Sequence, residues 1–375
     1  MMNRNLDALQ LSGIRAYTNL AKEVDDCVLL TLGEPDFDTP KAICDAACQA
    51  LAEGKTHYAP NQGIPELRKA IAEKETDRGN ACTEENVLIT AGATGAIFTA
   101  MLGVLNPGDE VILPMPAFPL YASIAAIAGA KIVPYVAEDF QITEESLSAL
   151  ITEKTKAIIL NSPNNPTGSF LTADSLRAVK NAILGRDIYV IWDCVYQELS
   201  PENLPDLSLD QELKPQVLVC QSFSKPYAMT GWRVGYLVAP REMMKKFLLL
   251  HAAQVAAIPT FLQTACLTAL KTDISSMVET YEERRRYVCE RLTKMGLSYP
   301  EPKGAFYVFP NISQFGLEDS QFCRRLILEK KVATVPGSCF GAPGYLRISY
   351  ACSMENLKTG LDRLEAFIGE LKNEK

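Results

Sequence analysis

The sequence contains little of what would indicate a metal, membrane or secreted protein. Only two of its 375 residues are histidine, and its eleven cysteines are scattered singly with no CxxC pair. We therefore expect no metal site and no disulfide framework, and we interpret the cysteines as reduced core residues. No apolar run approaches the ~18 residues that a membrane span needs. The first ten residues, MMNRNLDALQ, lack the apolar core of a signal peptide, which predicts a cytoplasmic protein.

Positive charge is also scarce. Thirty-seven basic residues against 45 acidic ones give a net charge of −8, and no basic tail is present. This balance predicts binding of neither nucleic acid nor an anionic membrane. The basic cluster at 284–286 follows Glu282 and Glu283, a pattern typical of a solvated helix face.

The chain alternates between helical segments and short β-rich runs. Gly95–Leu105 and Leu171–Leu184 have the 3.6-residue apolar period of helices. Runs that are nearly continuous in Val, Ile and Leu are typical of strands covered on both faces, and their alternation with helices predicts an α/β fold with a mostly parallel seven-stranded sheet. The seven runs are Asn86–Thr90, Glu110–Pro114, Lys131–Val136, Lys156–Asn161, Ile188–Asp193, Gln216–Cys220 and Arg233–Val238.

The pattern changes near residue 241. A long helical stretch, Glu242–Leu292, is followed by shorter α+β segments that include a helix near Gln321–Glu329 and a last helix from Met354. We therefore predict a large domain at 32–275, and a smaller α+β domain formed by 1–31 and 276–375.

Polar groups follow several of the predicted strands, at the edge where open parallel sheets bind ligands. Asp193 ends one strand, the segment 161–168 (NSPNNPTG) follows a second, and Lys225 follows a third. A fourth strand leads through 91–95 (AGATG) into a helix, whose N-terminus favours an anion. Taken singly, these features are compatible with a helix cap, a tight turn or a surface lysine. Together they supply a Schiff-base lysine, an anion for a pyridine nitrogen and a phosphate site, as amino-group chemistry requires.

Five ordered motifs carry a resemblance to a known family. They are Asn165-Pro166-Thr167-Gly168, Asp193-x-x-Tyr196, Ser222-Phe223-Ser224-Lys225, Gly231-Trp232-Arg233 and Leu346-Arg347-Ile348-Ser349. In order and separation they resemble the class I/II aminotransferases of pyridoxal 5′-phosphate (PLP) fold type I, over almost the whole chain. The resemblance implies a PLP-dependent aminotransferase that acts on amino acids and 2-oxo acids. Pro226 and Cys194 depart from the family pattern at positions without a named chemical role.

The resemblance also implies a role for individual residues. Lys225 would hold PLP covalently and move the substrate proton, and Asp193 would pair with the pyridinium nitrogen. Asn165 and Tyr196 would donate to the phenolic oxygen, and Phe118 would stack on the ring. The remaining cofactor contacts, mainly with the phosphate, would come from Gly92, Ala93, Thr94, Ser222, Ser224 and Arg233.

Substrate and partner contacts follow from the same resemblance. Arg347 would bind the α-carboxylate through two hydrogen bonds, with Gly33, Asn165 and Ile14 also contacting the substrate. Tyr58 would reach the PLP phosphate of a second subunit in a homodimer.

Side-chain specificity is less directly encoded. Thr94 stands where the bacterial aspartate-specific branch has a lysine, and Arg15 is either a substitute cation or an ordinary surface arginine. The sequence looks most like a Gram-positive branch associated with aromatic amino acids and N-acetyl-LL-diaminopimelate. C–S β-lyases and decarboxylating enzymes of this fold share the same lysine, aspartate and arginine. A non-catalytic ligand sensor is a further alternative, which the acidic charge and the missing helix-turn-helix segment disfavour.

Overall fold

The computed structural model describes Asn5, Leu9, residues 13–137 and residues 139–374. Ser12 and most of the N-terminal decapeptide therefore lie outside the described residues. The described helices are α1 (Gly13–Lys22), α2 (Lys41–Ala52), α3 (Pro65–Asp77), α4 (Gly92–Val104), α5 (Leu120–Ala128), α6 (Glu144–Leu150), α7 (Ala173–Ile183), α8 (Arg241–Val255), α9 (Thr260–Ala269), α10 (Ser275–Lys294), α11 (Asp319–Lys330) and α12 (Met354–Asn373).

Twelve strands are found in the described ranges. They are β1 (Val28–Leu29), β2 (Val87–Thr90), β3 (Glu110–Met115), β4 (Lys131–Val136), β5 (Thr155–Asn161), β6 (Tyr189–Asp193), β7 (Val217–Ser222), β8 (Gly235–Val238), β9 (Tyr307–Val308), β10 (Val332–Ala333), β11 (Val335–Pro336) and β12 (Leu346–Ser349). Seven form one sheet in the order β2-β8-β7-β6-β5-β3-β4, in which only β8 runs antiparallel to its neighbours. The predicted α/β fold with a mostly parallel seven-stranded sheet is confirmed.

Except at the edge strand β4, the sheet is mostly buried on both faces, which explains the uninterrupted apolar runs of its strands. All residues of β2, β7 and β8 are buried. One apolar core packs α2, α3, α7 and α9 against the sheet, and a second packs α4, α5 and α8 against it. β8 begins two residues later than predicted because Arg233 has a left-handed backbone, with φ of 56°. That conformation cannot continue a strand.

The remaining strands form two small sheets. β1 pairs in parallel with β10, and β11-β12-β9 form an antiparallel sheet. These strands share a third apolar core with α10, α11 and α12.

The predicted helical stretch Glu242–Leu292 is wrong as a continuous element. It is divided into α8, α9 and α10, with Pro259 directly before α9 and Ala256 at φ 59° after α8. Proline and a left-handed residue both terminate a helix. The apolar period therefore continues through the sequence, although the helix axis changes direction between the elements. Within the described residues, no single helix is long and apolar enough to cross a membrane. The pair α8 and α9 passes that test only jointly, with a bend of 119° between them.

The cluster 284–286 is also not uniformly solvated. Arg284 is buried, forms an ion pair with Asp36 at 2.7 Å and lies against the rings of Phe37 and Tyr281. Only Arg286 of this cluster has a largely exposed side chain. Arg284 therefore attaches α10 to the loop that follows Gly33.

Candidate active site

A cleft of about 890 Å³ opens at the carboxyl ends of β5, β6 and β7. Adjacent strands place their last residues side by side, since Asn161 pairs in register with Asp193. The start of α1, the loop at 31–34 and β12 close the opposite wall. The predicted site residues that line the cleft are Ile14, Gly33, Ala93, Thr94, Phe118, Asn165, Asp193, Tyr196, Ser222, Ser224, Lys225, Arg233 and Arg347.

Two predicted site residues do not line this cleft. Gly92 lies directly behind it, at the start of α4, where a Cβ atom would come within 2.7 Å of Arg233 Nη2. Its φ of 67° also favours glycine, so both the space and the backbone explain the residue. Tyr58 is 92% exposed and is not among the residues that line the cleft of its own chain.

Asp193 is a buried carboxylate that has no ion-pair partner within hydrogen-bonding distance among the described residues. Its Oδ2 accepts a 2.6 Å hydrogen bond from Tyr121 Oη, and its Oδ1 accepts one of 3.3 Å from Val195 N. Burial raises the pKa of Asp193 to about 6, against the opposing effect of these two donors and of Lys225. A cationic ring nitrogen would therefore find an anion that forms no ion pair with another described residue.

Lys225 follows β7, and its positive charge lowers the pKa of the Asp193 carboxyl group. Its Nζ donates a 2.6 Å hydrogen bond to Gly33 O and lies over the rings of Tyr196 and Phe306. Burial lowers the pKa of Lys225 to about 8, although Glu34 opposes this shift. A fraction of the amine is therefore neutral near pH 7, and only the neutral amine attacks a carbonyl carbon.

The third group of residues surrounds the start of α4. Ser222 Oγ donates to Ser224 Oγ at 2.9 Å, and Arg233 Nη1 donates to Thr230 O at 3.0 Å. No described carboxylate forms an ion pair with Arg233. Two hydroxyl groups, a guanidinium group and a helix N-terminus thus surround one end of the cleft, which is the donor set that a phosphate prefers.

Arg347 is almost fully buried at the other side of the cleft. Its Nη1 donates to Asn165 Oδ1 at 3.0 Å and its Nη2 to Thr31 O at 2.7 Å, while its Nε has no partner among the described residues. The guanidinium lies between the rings of Tyr307 and Phe340, 4.5 and 5.0 Å from their centres. A buried cation with neutral neighbours and an unpaired N–H requires an anion from a ligand.

Tyr121 and Tyr307 are two cleft residues that the sequence reasoning did not identify. Tyr307 Oη lies 3.2 Å from Tyr196 Oη, and both rings are buried. The sequence separations are 72 residues for Tyr121 and Asp193 and 111 for Tyr196 and Tyr307. The only local signal for Tyr121 is its place three residues after Phe118, in the first turn of α5, where its N donates to Phe118 O.

These residues fit PLP. Lys225 supplies the amine and Asp193 an unpaired anion, the donors around α4 suit the phosphate, and the unpaired Nε of Arg347 suits a substrate carboxylate. Such a set, on a sheet of this topology, defines a PLP-dependent enzyme of amino-acid metabolism.

The chain belongs to the class I and II aminotransferases, whose family model matches residues 25–364. It is 39% identical to a probable N-acetyl-LL-diaminopimelate aminotransferase of Bacillus subtilis, covering 98% of this chain and 96% of that one. It is 37% identical to aromatic-amino-acid aminotransferase 2 of Thermococcus litoralis, covering 99% of both. The crystal structure of an aspartate aminotransferase of Thermotoga maritima superimposes with a TM-score of 0.94 at 36% identity, covering 98% of this chain and 100% of that one. The enzyme is therefore an aminotransferase, its cofactor is PLP, and its substrates are amino acids and 2-oxo acids.

Proposed function

We propose that the enzyme transfers an amino group between an L-amino acid and a 2-oxo acid in a ping-pong reaction, with both half-reactions in this one cleft. The observation that carries the proposal is the buried guanidinium of Arg347, whose Nε lacks a partner in the described chain. Donor and acceptor share an α-carboxylate, so one arginine serves both half-reactions. Lys225 lines the same cleft and is therefore available in both.

PLP, when bound, supplies an electron sink for the charge that develops at the substrate Cα. Lys225 Nζ, with a pKa of about 8, removes a proton at that carbon and returns it one position away. The Asp193 carboxylate keeps the ring nitrogen protonated. Asn165 Oδ1 accepts a hydrogen bond from Arg347 Nη1 and so orients the guanidinium group. Tyr196, whose hydroxyl is hydrogen-bonded to that of Tyr307, would donate to the phenolic oxygen of PLP.

The substrate that we propose is aromatic or resembles N-acetyl-diaminopimelate. Apolar side chains of Ile14, Ile97 and Leu120 line the cleft with Phe118, and Thr94 supplies no cation. Arg15 lines the same cleft and forms no ion pair with a described carboxylate. This wall suits a long or aromatic side chain better than the short arm of aspartate. Relatives named for all three substrates match at 36–39% identity, so similarity alone does not separate them.

Arg15→Gln tests which of the two substrates the cleft takes. For a substrate with a distal carboxylate, losing one charge-assisted hydrogen bond raises KM by about tenfold. For phenylalanine or tyrosine, KM changes by less than about twofold, because no charge faces Arg15. Half-reaction rates of the wild type and the variant across phenylalanine, tyrosine, aspartate and N-acetyl-diaminopimelate measure this.

Arg286→Gln is the matched control, since this arginine is largely exposed and does not line the cleft. Turnover of aspartate faster than of both proposed substrates would contradict the specificity. Release of pyruvate and a thiol from a cystathionine-like substrate, without amino transfer, would identify a β-lyase instead.

We also propose that the active enzyme is a homodimer with composite sites. Supporting this, Tyr58 is the most exposed large apolar side chain of the described residues, and its loop is attached to α9 by a 2.6 Å hydrogen bond from Thr260 Oγ1 to His57 O. An aromatic ring held in this manner outside its own cleft is suited to a second subunit.

The dimer prediction is tested by sedimentation and by Tyr58→Phe. We expect a dimer at micromolar concentration. The variant keeps the dimer but raises the dissociation constant of PLP by about fivefold, because one hydrogen bond to the phosphate is lost. Tyr287→Phe, outside the cleft, is the control. A fully active monomer would end this proposal.

The division into domains 32–275 and 1–31 with 276–375 remains a proposal. It is supported by the separate apolar core that joins β1 to α10, α11 and α12. A cytoplasmic location is likewise proposed, and the eleven free cysteines are consistent with a reducing compartment.

A further inference from the structure

Tyr121 lies outside the five family motifs, yet its hydroxyl donates a hydrogen bond to Asp193. Tyr121 is 1% exposed, and its hydroxyl lies 2.6 Å from Asp193 Oδ2. Its ring packs edge-on against Phe118, at 6.1 Å and 84°. The tyrosine is thus fixed by the residue predicted to stack on the cofactor, and it holds the residue predicted to pair with the ring nitrogen.

A buried carboxylate is stable as an anion only when donors replace the water that it has lost. Among the described residues, two donors reach Asp193, and the Tyr121 bond is much the shorter. The hydroxyl is bound to Oδ2, which leaves Oδ1 with only the long bond from Val195 N. The tyrosine therefore restricts the rotation of the carboxylate and keeps one oxygen available.

We propose that Tyr121 is a positioning residue that keeps the Asp193 carboxylate ionised and oriented toward the ring nitrogen of PLP. The proposal rests on the proposed role of Asp193. A tyrosine suits this task because its hydroxyl donates to an anion without adding a positive charge. A lysine or arginine at this place would neutralise Asp193 and compete with the ring nitrogen for it.

Other titratable groups face Asp193 from the surrounding strands and loops. They are Tyr196, Cys194, Cys220 and Lys225. Burial raises the pKa of the first three well above their usual values, so they are neutral at pH 7. Lys225 is the remaining cation, and its Nζ donates to Gly33 O and not to Asp193. Tyr121 and Val195 N are then the donors left to stabilise the anion.

Tyr121→Phe tests the proposal because it removes only the hydroxyl and keeps the ring. A hydrogen bond to a charged acceptor is worth enough to move the pKa of Asp193 upward by about one unit. The first measurement is the PLP dissociation constant of the cofactor-free protein as a function of pH. We expect the pH below which PLP affinity falls to rise by about one unit relative to wild type.

The second measurement is the half-reaction. Its rate constant at pH 7 falls by about tenfold in Tyr121→Phe, whereas substrate KM changes by less than about threefold. Raising the pH restores much of the rate, because a higher pH ionises Asp193 again. Tyr135→Phe is the matched control, since it removes a buried hydroxyl that bonds Thr143 N instead. We expect its pH profile to match that of wild type.

Asp193→Asn and the double variant separate the two proposals. In an Asp193→Asn background, Tyr121→Phe changes neither the pH profile nor PLP affinity, because the titrating group is gone. If Asp193→Asn alone leaves PLP affinity and rate unchanged, the role of Asp193 fails. If Asp193→Asn abolishes the reaction but Tyr121→Phe has the same pH profile as wild type, the role of Tyr121 alone fails.

Discussion

Replacement of Lys225 by alanine is expected to lower the half-reaction rate by roughly 10⁴-fold or more, because in the proposed function this one side chain supplies both the covalent attachment and the proton transfer. No other described lysine lines the cleft. Borohydride treatment of wild type is expected to attach PLP irreversibly to the peptide that contains Lys225, which is detected by mass spectrometry as added mass. The corresponding peptide of the variant should show no added mass. Single-turnover absorbance measurements give the rate.

The pH dependence of PLP attachment provides a second check on Lys225. Since burial lowers its pKa to about 8, the rate of attachment should rise with pH up to that value and then level off. Lys69→Ala, an exposed lysine with only a long contact to Glu73, is the control for the loss of an amine. A Lys225→Ala variant within tenfold of wild-type turnover would refute the assignment.

Asp193→Asn is expected to lower the half-reaction rate by roughly 10²–10³-fold, the usual effect of removing one preorganised electrostatic contact. The amide keeps the shape of the side chain, so PLP still binds through the residues around α4. The neutral side chain no longer keeps the ring nitrogen protonated. Stopped-flow absorbance should therefore show a slow step at Cα with nearly unchanged substrate binding.

A stability measurement distinguishes this effect from misfolding. The folded-state pKa of Asp193 is about 6 against an ordinary 3.8, so the folded chain binds its proton more tightly than the unfolded chain. The free energy of unfolding that this group contributes therefore falls as pH rises from about 3.8 to about 6. Above that pH, the cofactor-free Asp193→Asn protein should be more stable than wild type. A variant that is both inactive and less stable at pH 8 would contradict this account.

The sequence predicts the parts of this site that depend on local pattern. The strand-end positions of Asp193 and Lys225 follow from the apolar runs before them, since parallel strands bring their carboxyl ends together, and their roles are implied by the family resemblance. The period of Glu242–Leu292 could not locate the turns between its helices, since Pro259 and the left-handed Ala256 interrupt the backbone without interrupting the apolar pattern.

Contacts between distant segments could not be predicted. Tyr121 has no local signal except its place three residues after Phe118, and its role depends on a partner 72 residues away. Arg284 was misassigned for the same reason, because its partner Asp36 is separated from it by 248 residues. An arginine next to glutamates is usually solvated, and only tertiary structure shows which one is covered.

The unpaired Nε of Arg347 has a consequence for the lifetime of the enzyme. A charge that is buried without its counter-ion lowers the stability of the empty chain, and a carboxylate ligand restores that stability on binding. Asp193 and Lys225 are likewise buried charged groups, which the cofactor would stabilise on binding. Ligand concentration therefore determines how much of the chain is heat-sensitive and open to proteolysis, and a shortage of cofactor would reduce the amount of enzyme as well as its activity.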